Sequence, residues 1–234
     1  MNVHGSDAEP SRRIEHRVRE ARPRPSLEDG WDDPAWAAAE PLEVAHFRPE
    51  GSGHRPRTRV RLRHDGERLW GLFRVEDRYV RSVHTRFGEP VYQDSCVEIF
   101  LQPKEGRGYL NFEMNAGGAL LASHVTDHRR TPEGFAAFTR LTEEDGGRVG
   151  VRSSLPPVVD PEIEGPVDWQ LTFSIPVALL ETYVGPIGPL AGQRWRANLY
   201  KCGDRTSHPH WASWSPVDAL NFHLPHCFGT LLFL

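Results

Sequence analysis

The sequence predicts an all-β fold: an antiparallel β-sandwich of jelly-roll type with one or two short helices. Three observations support this. Apolar residues recur at every second position in one segment after another, the period of a half-buried strand. Twenty prolines and 21 glycines punctuate 234 residues, which implies many short elements joined by turns. Helical spacing is confined to two brief stretches.

The elements follow in order. Residues 1–26 hold Arg12, Arg13, Arg17, Arg19, Arg22 and Arg24 and lack an apolar stripe, so they read as a polar tail or loose lead-in strand. One domain then spans 27–234. Asp33 before Pro34 is a helix start, so PAWAAAE is expected as a short helix anchored by Trp36. In RTRVRLRH, Val60 and Leu62 alternate with Arg59, Arg61 and Arg63, the mark of a strand with a solvated charged face. RLWGLFRVED is the next strand. In DSCVEIFLQP, Val97, Ile99 and Leu101 alternate with Glu98, Phe100 and Gln102. In GYLNFEMNA, Leu110, Phe112 and Met114 alternate with Tyr109, Asn111, Glu113 and Asn115. Gly117-Gly118 turns the chain into ALLASHV as a hairpin. RVGVRSSL, DWQLTFSI, QRWRANLYKC, HWASWSP and CFGTLLFL continue the series, and PVALLETYV is the second helix.

Composition narrows the function. With 28 basic and 32 acidic residues the net charge is −4, which excludes a general nucleic-acid binder. No run approaches the ~20 apolar residues of a membrane helix. MNVHGSDAEPSRR lacks the apolar centre of a secretory signal, so a cytoplasmic location is the expectation. Cys96, Cys202 and Cys227 are odd in number and form no CxxC. Cys96 and Cys202, within strand patterns, are expected as small buried hydrophobes. No GxSxG, phosphate loop, HExxH or dinucleotide fingerprint occurs. His208, His210, His223, His226 and Cys227 offer zinc-type ligands at no standard closed-site spacing, so loop histidines are the expectation.

Two groups carry candidate chemistry. Asn111, Glu113 and Asn115 share one strand face, and Glu98 lies on the polar face of the preceding strand. Rows of amide and carboxylate groups hydrogen-bond the hydroxyls of a sugar, and an aromatic ring covers its C–H face. Trp211, Trp214, Tyr200 and Phe222 supply rings nearby in the sequence.

PAWAAAEP, QDSCVEIFLQP, YLNFEMNAGG, WRANLYKC, ASWSPV and FGTLLF occur in the order seen in family 9 carbohydrate-binding modules and their DOMON-like relatives. Over about residues 27–234 the chain resembles that family. The resemblance implies a jelly-roll sandwich and a non-catalytic module. Such a module holds terminal sugar units of plant polysaccharides between two tryptophans, is usually appended to a glycoside hydrolase, and carries structural calcium. By motif, Trp214 in ASWSP matches one sandwiching tryptophan. The other precedes the QDS block, where this chain has Val91-Tyr92, so Tyr92 stands as the second wall. Glu98 matches the acid of VEIF. Asn115 matches a polar position in the next strand, and an arginine expected two residues earlier is here Glu113. No calcium ligand is matched by motif.

The expected site is therefore Trp214, Tyr92, Glu98, Glu113, Asn115 and Asn111, with a small carbohydrate as partner and no nucleic acid or membrane. Trp211 and Trp214 are three apart and point to opposite faces of an extended segment. The family match and the flanking Ser213, Ser215 and Pro216 make Trp214 the exposed member and Trp211 the packed one. Two alternatives stand beside this. Glu98 and Glu113 suit a glycoside hydrolase if their carboxyls lie ~5–9.5 Å apart. A haem-binding DOMON-like module would ligate iron through axial Met, His or Lys side chains, and Met114, the only internal methionine, points inward by its alternation, which suits core packing better.

Overall fold

The computed structural model describes residues 14–132 and 134–234. Sixteen strands occur among them. The first six are β1 (Glu15–Glu20), β2 (Leu42–Val44), β3 (His46–Phe47), β4 (Arg57–His64), β5 (Arg68–Asp77) and β6 (Val80–Ser82). Next come β7 (Cys96–Gln102), β8 (Tyr109–Asn115), β9 (Leu120–Thr131), β10 (Gly134–Arg140), β11 (Gly150–Ser153) and β12 (Val159–Ile163). The last four are β13 (Val167–Pro176), β14 (Arg194–Cys202), β15 (Trp211–Ser213) and β16 (Gly229–Phe233). Helix α1 (Glu143–Gly147) is one turn capped by Thr142, and α2 (Val177–Val184) is the helix expected from PVALLETYV.

The strands form the expected two-layer sandwich. One layer runs β10-β9-β8-β7-β14-β16 and the other β4-β5-β13-β11. The alternation read from the sequence sets the inner faces. Val97, Ile99, Leu101, Leu110, Phe112 and Met114 from the first layer meet Val60, Leu62, Phe73, Val75, Leu171 and Phe173 from the second in one core. Lys201, on the core-facing side of β14, reaches Asp77 at the end of β5, with Nζ 3.5 Å from Oδ2. Asp77 also accepts from His54 at 2.7 Å, from Trp169 at 3.2 Å and from the Arg78 amide at 2.8 Å. A buried charged cluster thus ties the two layers.

Three expectations are corrected. The lead-in is not a loose tail: β1 pairs in parallel with β16 through Glu15–Val18 and with β4 through Arg19 and Glu20, so it belongs to both layers. Buried Val18 anchors it. The rest of that segment, residues 1–13 with Arg12 and Arg13, lies outside the described residues. PAWAAAE yields only a three-residue 3-10 turn, Pro34–Trp36, because the Asp33 carboxylate bonds back to the Gly30 amide rather than capping forward. The arginine face of β4 is not open to solvent either. Trp31 lies over it, 5.3 Å from the Arg59 guanidinium and 4.4 Å from that of Arg61, and Arg63 is buried.

Candidate functional site

The register of the first layer assembles the polar row. Glu98 stands opposite Glu113, Phe100 opposite Asn111, and Cys96 opposite Asn115 across β7 and β8. On the other side of β7, Tyr200 and Cys202 of β14 stand opposite Glu98 and Cys96. These residues share the outer face, turned away from the core. The β9–β10 hairpin and the segment 217–228 cover part of that face. The gap they leave is a pocket of about 690 Å³.

Its floor is Glu98, Asn111, Glu113, Leu121, Ser123 and Cys202. Tyr92, Trp211, Phe135, Phe138 and Phe222 supply aromatic walls, and Arg130 and Arg140 of the hairpin stand at the rim. The Trp211 indole is fixed by donating to Asp204 Oδ1 at 2.7 Å. Phe222 stacks on Tyr200, with ring centroids 4.1 Å apart. His223 shares a 2.8 Å hydrogen bond with the Tyr109 hydroxyl. Burial, reinforced by Arg130, pushes its imidazole down to about 3.

The floor is rich in acceptors. Asn111 Nδ2 donates to Glu113 Oε1 at 2.7 Å, while Asn111 Oδ1 and Glu113 Oε2 are buried and find no protein partner. Burial lifts the Glu113 carboxyl to about 7, against the Asn111 hydrogen bond and with help from Asp204. Burial, then Cys202 and Glu113, drive Glu98 well above the carboxylate range. Burial also raises Asp204, against its Trp211 hydrogen bond. An unsatisfied buried polar atom costs ~1–3 kcal/mol. Two of them together on a pocket floor suit a ligand that brings hydroxyl donors.

The structure brings four of the six sequence-predicted site residues together here: Tyr92, Glu98, Asn111 and Glu113. Asn115 and Trp214 are elsewhere. Asn115 is fully committed: its amide donates to the His84 carbonyl and to Asp94, and its oxygen accepts from the Ala119 amide. Trp214 is the buried member of its pair, packed in the inter-sheet core against Gly229 and edge-on to His16. Trp211 faces the pocket. The opposite-face argument is right, but the phase is inverted. Trp211 pairs with Cys202 on the outer face, which turns Ala212 and Trp214 inward with Leu199. Met114 has no exposed surface and packs in the core, as its alternation predicts, so it offers no haem ligand. Asp204, Arg130, Arg140 and the two hairpin phenylalanines are not singled out by sequence, and Trp211 is named there as the packed member of its pair. Inward Trp195, Ala197 and Leu199 put Cys202 outward, and the pairing of Trp211 with Cys202 then sets Trp211 outward as well.

The sequence pattern of carbohydrate-binding family 9 matches residues 36–233. The chain belongs to this family. A Bacteroides uniformis protein named for carbohydrate binding shares 28% identity over 95% of this chain and 100% of its own, with a TM-score of 0.82. A family 9 module from Caldicellulosiruptor kristjanssonii, solved with glucose, has a TM-score of 0.64 at 16% identity, covering 94% of this chain and 96% of that one. The same kind of module solved with cellotriose gives 0.64 at 16%, over 94% and 93%. At that identity the likeness shows the fold. No curated protein matches the chain.

The calcium that family 9 resemblance implies takes six to eight oxygen ligands. Among the described residues, the groups of three or more metal-type ligands are Cys96, Glu98, Cys202 and Asp218, His226, Cys227. Each includes a thiol and neither is an oxygen cage, so they do not fit calcium. Of the other loop histidines, His208 stacks on Tyr79 at 3.6 Å, and His210 Nε2 lies 2.8 Å from Lys201 Nζ.

Proposed function

We propose that this family 9 chain is a non-catalytic carbohydrate-binding protein whose ligand site is the pocket over β7 and β8. The observation that carries the reading is the pairing of orphaned acceptors, Asn111 Oδ1 and Glu113 Oε2, with the aromatic walls of Tyr92 and Trp211. A pyranose presents both complements, hydroxyl donors along its edge and an apolar C–H face for a ring. Pockets of ~300–1,000 Å³ hold ligands of small-molecule size, so one or two sugar units fit. Family membership and the sugar complexes of the fold neighbours support the same class. Isothermal titration of the folded protein against a panel of mono- and oligosaccharides, glucose and cellotriose included, tests it. Saturable heat with at least one sugar is expected, and none at millimolar concentration would overturn it.

One observation favours a second reading. Glu98 and Glu113 are direct cross-strand neighbours on the pocket floor, and hydrolysis would need their carboxyls ~5–9.5 Å apart on either side of the scissile bond. Release of reducing sugar that disappears in Glu113→Gln would establish hydrolysis.

A further inference from the structure

We infer that Cys96, Cys202 and Glu98 form a binding site for a soft divalent cation of the zinc type, open on one side to the pocket. This goes beyond the carbohydrate reading and does not depend on it. Two strand relationships build the site. Cys96 and Cys202 are register partners across β7 and β14, so their side chains leave the sheet side by side on the outer face. Glu98 follows Cys96 by two residues and shares that face. The two sulfurs and a carboxylate oxygen lie within 4.8 Å of one another, and Cys202 Sγ donates to Glu98 Oε1 at 3.1 Å. Zn–S and Zn–O bonds of ~2.3 and ~2.1 Å in a tetrahedron set ligand separations of roughly 3.3–3.8 Å. Small χ1 adjustments therefore close the set around an ion.

The chemistry selects the class of metal. Two thiolates and one carboxylate suit zinc, and are wrong for calcium or magnesium, which take oxygen. All three residues are buried, so the ligands are held by the sheet rather than by mobile chain. Access is present as well, because Cys202 and Glu98 line the pocket. Glu113, the register partner of Glu98, shares the pocket floor and offers a fourth ligand in its buried, unpartnered Oε2. On binding, the two thiols and any carboxyl proton leave to solvent, so the ion replaces protons on the same atoms.

Cobalt(II) titration of the reduced, chelator-treated protein tests this. The expected result is one equivalent bound, with a thiolate-to-cobalt charge-transfer band in the near ultraviolet that zinc(II) removes. Loss of a direct ligand in Cys202→Ala or Glu98→Gln should weaken affinity by ~100-fold or more. Cys227→Ala, which leaves this set intact, should keep the band. A folded wild-type protein that shows no such band overturns the inference. So does a band that survives Cys96→Ala with Cys202→Ala, or one that vanishes in Cys227→Ala. If the double variant does not fold, the wild-type and Cys227→Ala spectra decide. A mass two hydrogens short, from a Cys96–Cys202 disulfide that persists under thiol reductant, also overturns it.

Discussion

Trp211 and Trp214 lie on opposite faces of one sheet, Trp211 over the pocket beside Asp204 and Trp214 in the core against Gly229. The contrast separates binding from folding. Trp214→Ala removes a buried indole and should cost ~3–5 kcal/mol of stability. Trp211→Ala should leave the melting temperature nearly unchanged and weaken sugar binding by ~1–2 kcal/mol. Denaturant unfolding and titration calorimetry on both variants check this. The reverse pattern would place the ring platform elsewhere.

Glu113→Gln tests the acceptor floor. The carboxyl is buried, held up to about 7, and has one oxygen unpartnered. An isosteric amide removes the cost of burying a charge, so stability should hold or rise. Affinity should fall by ~1.5–3 kcal/mol if a sugar hydroxyl donates to that carboxylate. Unchanged affinity would take Glu113 out of the site.

Asn115→Ala should behave in the opposite sense. Its side chain makes three hydrogen bonds, to the His84 carbonyl, Asp94 and the Ala119 amide. Leaving those partners unsatisfied should cost ~1–3 kcal/mol of stability each at most, with sugar affinity unchanged in the folded fraction. A specific loss of affinity would return Asn115 to the binding residues.

Glu113, Asn115 and the two tryptophans mark how much was legible in the sequence. Period-two alternation in DSCVEIFLQP and GYLNFEMNA is strict, so the strands, their inner faces and the polar row of Glu98, Asn111 and Glu113 could all be read from it. Alternation gives a face but not what lies above it. Asn115 is in the same row as Glu113, yet the loop from His84 to Asp94 folds over it and takes its hydrogen bonds. The phase of ASWSP depended on its pairing with β14, a long-range contact that local residues do not encode. Strand β10, which brings Phe135, Phe138 and Arg140 to the pocket, escaped notice because register shifts break its alternation and most of it is exposed. Strand β1 was hidden by its arginines, with only His16 and Val18 carrying its burial.

Buried histidines should make stability depend on pH well above the carboxylate range. His210 and His223 are buried neutral, each pushed down to about 3 by burial, with Lys201 opposing charge on the first and Arg130 on the second. Unfolded histidine titrates near ~6.5, so between about 6.5 and 3 the unfolded state binds more protons and stability rises with pH. Their contribution is complete above ~6.5 and is lost by up to ~1.4 kcal/mol per pH unit per group as pH falls toward 3. Asp77 adds to this below ~3.9, because burial raises its carboxyl but Lys201 and His54 more than reverse that. Glu113, held up to about 7, and Glu98, held well above its ordinary value, act in the opposite sense over the same window, because the folded state keeps protons that unfolded carboxyls have lost. The histidine contribution is therefore read as a difference: in His223→Gln the slope of stability against pH between ~4.5 and ~6.5 should fall by up to ~1.4 kcal/mol per pH unit relative to the unsubstituted protein. An unchanged slope in the variant would contradict a buried neutral His223.

Lys201→Met leaves Asp77 without its cation in the interior, and should destabilise by ~3–5 kcal/mol. Adding Asp77→Asn should recover much of that loss. Calorimetric melting of the single and double variants tests the pair, and an equal or larger loss in the double variant would show that Asp77 does not depend on Lys201.

The central claim is that a sugar sits on the outer face of β7 and β8, and the most direct measurement is a crystal structure of the protein with a sugar that binds it in titration. The ring is predicted against Trp211, with hydroxyls within hydrogen-bonding distance of Asn111 Oδ1 and Glu113 Oε2. A sugar bound at any other face of the sandwich, with this pocket empty, would contradict the account.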